Sequence, residues 1–215
     1  MVYNNIVGGS MIDKNELITD KALEFAREKH KGQMRKNNTP VEYITHPINV
    51  ANLVKKYANN KENIDDLVSS AYLHDTLEDT NTTYKELICN FGNLISNLVK
   101  ELTNNDVLKK EMGKTKYLSM KMTSMSDDAL IIKLCDRLDN VSSLYDTNKA
   151  FIDKYLRETI SILNYIIDNR SLNAIHLNII SDINKEVNNV IKCCAVDNVM
   201  TNNIFILKRK EATQM

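Results

Sequence analysis

Between Ser70 and Thr80 the chain reads Ser-Ala-Tyr-Leu-His-Asp-Thr-Leu-Glu-Asp-Thr, an apolar helical stripe that runs straight into a histidine and three acids. Upstream, Ile64, Leu67, Val68 and Ala71 repeat at the spacing of one buried helix face. His74 and Asp75 fall where that stripe should continue, and a bare imidazole and carboxylate cost several kcal/mol to bury unless they are paired or bound to metal. The periodicity predicts one central helix over 61–77. On that helix Glu78 follows His74 by four residues and Asp79 follows Asp75 by four, so each pair shares a side. By itself a His-Asp dipeptide is a weak pattern, equally explained by a helix fraying into a polar loop.

The rest of the chain reads as helix. Five Gly, two Pro and no Trp in 215 residues leave long segments of helical rather than alternating periodicity, which argues for an all-α fold in one domain. Residues 1–12 read as a flexible arm, 13–195 as the folded domain and 196–215 as a solvated tail with Lys208, Arg209 and Lys210. A first helix runs from an Asp13 cap to about His30, and a basic, turn-rich loop follows to Pro40. Thr45-His46-Pro47 opens the next helix, Pro being favoured at the first helical position, so His46 is free to turn inward. Thr83 and Glu86 have capping-box spacing for a short helix to about Asn90, and a strongly amphipathic helix follows over 91–103. Residues 104–113 read as loop around at most one helical turn, and 114–125 as a methionine-rich helix. The segment 129–140 is apolar nearly all round, hence buried, and Asp136 interrupts it with Asn140 one turn on. Helices over 150–168 and 173–192 complete the pattern. Their apolar faces would serve a homodimer, and core packing explains the same residues.

Equal numbers of acidic and basic residues, 28 each, exclude a global field that draws the chain to nucleic acid or anionic lipid. The sequence shows no membrane span and no secretory signal, and four cysteines without CxxC spacing read as reduced thiols, which together give a cytoplasmic expectation. His46, His74, Asp75 and Asp136 form a mixed nitrogen and oxygen donor set that suits octahedral Mn²⁺, Fe²⁺ or Mg²⁺ better than structural zinc. Such a metal acidifies its water into a nucleophile, and Glu78 and Asp79 would orient that water and protonate a leaving oxygen. Asp136 could instead pair with Lys133 or Arg137. His30 and His176 read as locally hydrogen-bonded histidines. Arg35 offers a fork for phosphate or a flat face for a purine, and Lys36 a second positive charge, unless the two belong to a merely solvated loop.

Three motifs in order carry a family resemblance. His30-Lys31-Gly32-Gln33 with Arg35-Lys36, Pro40, Tyr43-Ile44 and His46-Pro47 comes first, then the His74–Thr80 run, then Leu134 to Asn140. Over about 21–144 the chain resembles the HD hydrolase domain of the RelA/SpoT family. The resemblance implies a helical HD-domain metal-dependent phosphohydrolase that cleaves (p)ppGpp at the 3′ position to GDP or GTP and pyrophosphate, usually with Mn²⁺. It implies metal ligands at His46, His74, Asp75 and Asp136, a catalytic pair at Glu78 and Asp79, and nucleotide contacts at Arg35, Lys36, Asn140 and Ser143. No nucleotidyl-transfer domain is expected, so the chain is similar to the stand-alone small alarmone hydrolases, animal type included. Two departures touch substrate preference: two extra residues near Val41-Glu42 relative to the bifunctional enzymes, and Asp139 where many long relatives carry His. Alternative readings are a broader nucleotide phosphohydrolase, such as an NADPH 2′-phosphatase, and a non-catalytic alarmone sensor.

Overall fold

A computed structural model describes residues 17–194, and among them all regular structure is helical. The helices are α1 (Ile18–Lys29), α2 (Thr45–Ala58), α3 (Ile64–Leu73), α4 (Thr76–Asp79), α5 (Tyr84–Leu102), α6 (Asp106–Met112), α7 (Lys114–Ser124), α8 (Asp127–Ser142), α9 (Lys149–Asn169) and α10 (Ala174–Cys193), with a 3₁₀ turn at Leu144–Asp146. The Asp13 cap, the arm and the tail lie outside the described residues. So does most of what precedes α1, whose N-cap is Leu17 and has no side-chain bond.

Two helices form the middle of the bundle. α3 packs against α1, α2, α5 and α8, and α8 packs in turn against α2 and α10. Every residue of α8 from Ala129 to Asp139 is buried, as its all-round apolar sequence requires, and the buried Lys133, Asp136, Arg137 and Asp139 are the exceptions that need partners. Helix ends follow local chemistry. Thr83 and Glu86 make the expected capping box, Ser126 caps α8, and Asn148 caps α9.

Three expectations are corrected. The central helix does not run to Leu77: it stops at Leu73 because His74 Nδ1 bonds the Ala71 carbonyl (2.8 Å) and Thr76 Oγ1 donates to the Leu73 carbonyl (2.7 Å), so side chains occupy the acceptors that the next turn would use. The helices expected on either side of Asn90 are both present, meeting within the span α5 at Gly92, whose φ of 74° lies in the left-handed region open to glycine. Residues 104–113 contain the seven-residue α6, capped by Asn105. Pro47 occupies the third rather than the first position of α2, still within the turn that has no intrahelical N–H bonds to lose. Among the described residues no helix is long and apolar enough to cross a membrane.

His176 is buried at the start of α10 and is locally bonded as expected. Its Nδ1 accepts from the Asn173 N–H and its Nε2 faces the Asp127 carbonyl at 3.0 Å, which fixes a neutral ring. Burial lowers its pKa below the ordinary value, outweighing the bond to Asp127. The unfolded chain therefore takes up this proton first as pH falls through about 6.5, so the stabilising contribution is complete above that pH and shrinks below it. His176→Gln should cost about 1 kcal/mol near neutral pH, and urea unfolding at stepped pH should show the gap between variant and parent narrowing towards about pH 5.

Candidate metal and nucleotide site

The break after Leu73 shapes the site. In an unbroken helix neighbouring residues diverge by about 100°, whereas here His74 and Asp75 face one point, with His74 Nε2 3.0 Å from Asp75 Oδ2. His46, in the first turn of α2, brings its Nε2 to 3.2 Å from Asp136 Oδ1 and 3.7 Å from Asp75 Oδ2. His46, His74 and Asp136 each offer a donor atom within 4.8 Å of one another. Asp75 adjoins this trio, so the structure brings together all four residues expected as ligands.

The protonation pattern tests whether a cation fits. His74 donates from Nδ1 to the Ala71 carbonyl and His46 from Nδ1 to Asp139 Oδ2 (2.6 Å), so the neutral form of each ring has a lone pair at Nε2. Both lone pairs therefore look towards carboxylate oxygens. His74 Nε2 is buried without any hydrogen-bond partner, even though Asp75 lies so close. Acceptors crowded against acceptors need a positive charge between them. Burial disfavours the His46 imidazolium, but bonds from Asp136 and Asp139 outweigh it and hold the pKa up at about 9. Asp75 and Asp136 are held below the usual carboxylate range against the opposing effect of burial, Asp75 by the His74 ring and Asp136 by the Lys133 ammonium and His46. The donor set, two imidazole nitrogens with carboxylate oxygens, fits a divalent cation of the Mn²⁺, Fe²⁺ or Mg²⁺ type.

The expected catalytic pair sits beside this cradle in two different settings. Glu78 accepts from the Asn104 backbone N–H (3.1 Å) and side-chain amide (2.9 Å) and faces Lys109 Nζ at 3.4 Å, so its surroundings are donors. Asp79 shares the Tyr43 hydroxyl with Asp75, at 3.1 Å against 2.5 Å. Burial and the Asp75 charge raise the Asp79 pKa, outweighing the Tyr43 bond. Asp136 also bonds Lys133 Nζ at 2.8 Å, so the lysine pairing and the cradle position occur together, while Arg137 turns away to Glu158.

A cavity of about 710 Å³ opens over the cradle. Its walls carry Arg35, Lys36, Lys109, Lys114, Lys133 and Arg137 as well as Glu78, Asp79, Asn140 and Ser143. Lys36 is exposed at its rim. Arg35 differs from the expectation of a free phosphate fork: Nη1 donates to Asp139 Oδ2 (2.8 Å), and Nη2 to Ser143 Oγ (3.0 Å) and Asn140 Oδ1 (3.4 Å). The loop bearing it is closed by an antiparallel bridge between Met34 and Glu42 and tied to Asp79 through Gln33 Nε2, which donates to the Asp79 carbonyl at 2.9 Å. His30 bonds Gln33 locally at 2.8 Å, as expected.

Asp139, Tyr43, Asn104 and Lys109 had no role assigned from sequence. Asp139 could have been found, since it follows Asp136 by three residues and so shares its helix face. Asn104 and Lys109 reach Glu78 across the fold and left no local trace.

A helical bundle in which two histidines and two carboxylates from three separate segments converge beneath a basic cavity has the form of an HD-type metal site. Residues 22–170 match the HD domain family, and the chain belongs to it. Within that family it is 37% identical over 144 residues to the guanosine-3′,5′-bis(diphosphate) 3′-pyrophosphohydrolase of Aquifex aeolicus, covering 66% of this chain and 20% of that protein. It is also 37% identical over 124 residues to the MESH1 guanosine-3′,5′-bis(diphosphate) 3′-pyrophosphohydrolase of Xenopus tropicalis, covering 58% of this chain and 68% of the relative. The match thus spans a fifth of the bacterial relative's length and about two thirds of the animal one's. The fold matches a solved structure described as a metazoan ortholog of SpoT that hydrolyzes ppGpp, with a TM-score of 0.67 at 22% identity over 84% of this chain and 97% of that one.

Metal binding should be visible as stability. Mn²⁺ at a hundred times its Kd should add about 2.7 kcal/mol, a rise in Tm of roughly 5–11 °C for a domain of this size. Asp136→Ala should abolish the rise in a thermal melt while the metal-free protein still unfolds cooperatively.

Proposed function

We propose that this chain hydrolyses guanosine 3′-diphosphate 5′-di(or tri)phosphate at the 3′ position, giving GDP or GTP and pyrophosphate, with Mn²⁺ as its metal. The observation that carries this reading is the cation cradle of His46, His74, Asp75 and Asp136 opening into a cavity whose walls hold six basic side chains. A substrate with two diphosphates calls for that combination of a metal and distributed positive charge. The names of the relatives at 37% identity support the substrate class.

The products define what the side chains must do. Release of intact pyrophosphate breaks the bond between the 3′ oxygen and its adjacent phosphorus. The oxygen of water ends on pyrophosphate, and the departing 3′ oxygen collects a proton. A divalent cation in the cradle supplies Lewis acidity, acidifying water and neutralising phosphate charge. Glu78, held by donors from Asn104 and Lys109, orients the attacking water and accepts its proton. Asp79, whose pKa is raised, delivers a proton to the 3′ oxygen, and the Tyr43 hydroxyl holds its carboxyl in place. Lys36, Lys109 and Lys114 line the cavity where phosphates would lie, and Asn140 and Ser143 border it beside Arg35. With its fork engaged, Arg35 has the flat face of its guanidinium to offer a guanine base.

Product analysis tests the reading. With Mn²⁺ and ppGpp the protein should release GDP and pyrophosphate in equal amounts, EDTA should stop the reaction, and Glu78→Gln or Asp79→Asn should each lower kcat by about 10²–10⁴. Orthophosphate from NADPH without turnover of ppGpp would move the assignment to the 2′-phosphate of a redox cofactor. Binding of ppGpp without turnover would make the protein a sensor.

A further inference from the structure

We infer that Arg35 is a positioning residue of the metal centre. The inference rests on the reading that His46 and Asp136 hold the metal, and it assigns Arg35 a task other than contact with substrate. Two chains of hydrogen bonds start at its guanidinium. Nη1 donates to Asp139 Oδ2 (2.8 Å), the same oxygen that receives His46 Nδ1 at 2.6 Å. Nη2 donates to Asn140 Oδ1 (3.4 Å), and the amide nitrogen of that residue donates to Asp136 Oδ1 at 2.5 Å. Ser143 Oγ, 3.0 Å from Nη2, anchors the fork from the next turn. Asp136, Asp139, Asn140 and Ser143 follow one another by three, one and three residues, a single stripe along α8 and its C-cap, and Arg35 lies across it from the 30–43 loop.

The arrangement has a definite logic. The direction of the Asn140 amide is set by Arg35: because its oxygen must face a guanidinium, its nitrogen must face Asp136, and one oxygen of that carboxylate is thereby held in place. Asp139 in turn fixes the His46 ring with Nδ1 as donor and Nε2 directed into the cradle, the outer partner that a histidine ligand needs. Asn49 Nδ2 steadies the other Asp139 oxygen at 2.9 Å. Removing Arg35 takes away a group that donates to both branches, at Asp139 and at Asn140. A lysine in its place can reach Asp139 with a single ammonium but cannot bridge three acceptors in one plane.

The test is calorimetric titration of Mn²⁺ into metal-free protein without nucleotide. Arg35→Gln should weaken Mn²⁺ binding roughly ten- to hundredfold, the range for loss of an outer partner. Arg35→Lys should recover part of that loss, and Lys31→Gln, exposed on the same loop and outside the network, should bind Mn²⁺ like the parent. Thermal melting of the metal-free variants separates lost affinity from lost fold. Should Arg35→Gln not fold, Ser143→Ala, which removes one anchor of the guanidinium, should still weaken Mn²⁺ binding several-fold. Mn²⁺ affinity within twofold of the parent in folded Arg35→Gln, or in Ser143→Ala where that variant does not fold, overturns the inference. Because no substrate is present, weakened Mn²⁺ binding in a protein that leaves ppGpp intact would uphold this role of Arg35 while removing the hydrolase reading.

Discussion

Crowding of lone pairs is the constraint on which this structure turns. His46 Nε2, His74 Nε2 and the carboxylates of Asp75 and Asp136 are pressed together in a largely buried space. Each ring has already spent its donor on a fixed outer acceptor. Positive charge is the remedy, and the Lys133 ammonium, 2.8 Å from Asp136 Oδ2, supplies part of it. The bundle bears the cost of that frustration. α3 ends early so that two successive residues can look the same way, and the middle of α8 buries four charged side chains among Leu, Ile, Ala and Cys135.

Much of this was legible in the sequence, for reasons that differ between elements. The helical class, the burial of α8 and two of the four candidate ligands follow from periodicity interrupted by the wrong chemistry: His74 and Asp136 stand out because they sit on apolar stripes. What escaped was set by short-range side-chain bonds to the backbone or by contacts between distant segments. The end of α3 at Leu73 has no Gly or Pro to announce it and arises from His74 and Thr76 taking carbonyls of their own chain. Arg35 was readable as a basic residue near a nucleotide, but the capture of its fork by Asp139, Asn140 and Ser143 depends on α8 lying opposite the 30–43 loop. The loop around a single turn expected at 104–113 was too modest, since the polar face of the short α6 hid its helical character. The arm and tail lie outside the described residues and enter none of these comparisons.

The adjacent acids show how neighbours in sequence acquire unequal environments. Glu78 faces Asn104 and Lys109, which come from the segment after α5, whereas Asp79 faces Tyr43 from the segment before α2. Two pieces of chain that close on α4 from opposite sides thus differentiate two chemically similar groups. The division is tertiary in origin, and a Glu-Asp dipeptide read alone does not contain it.

The 30–43 loop is fastened at several points. Gln33 holds the Asp79 carbonyl, Tyr43 holds the Asp75 and Asp79 carboxylates, Arg35 holds Asp139, and the backbone N–H groups of Asn38 and Thr39 reach Asp146. None of these fasteners can be released alone if the loop moves as a body. Lifting it would unseat the acidic pair and loosen the support of His46 in the same motion, so the order of this surface segment and the assembly of the centre beneath it are thermodynamically one event.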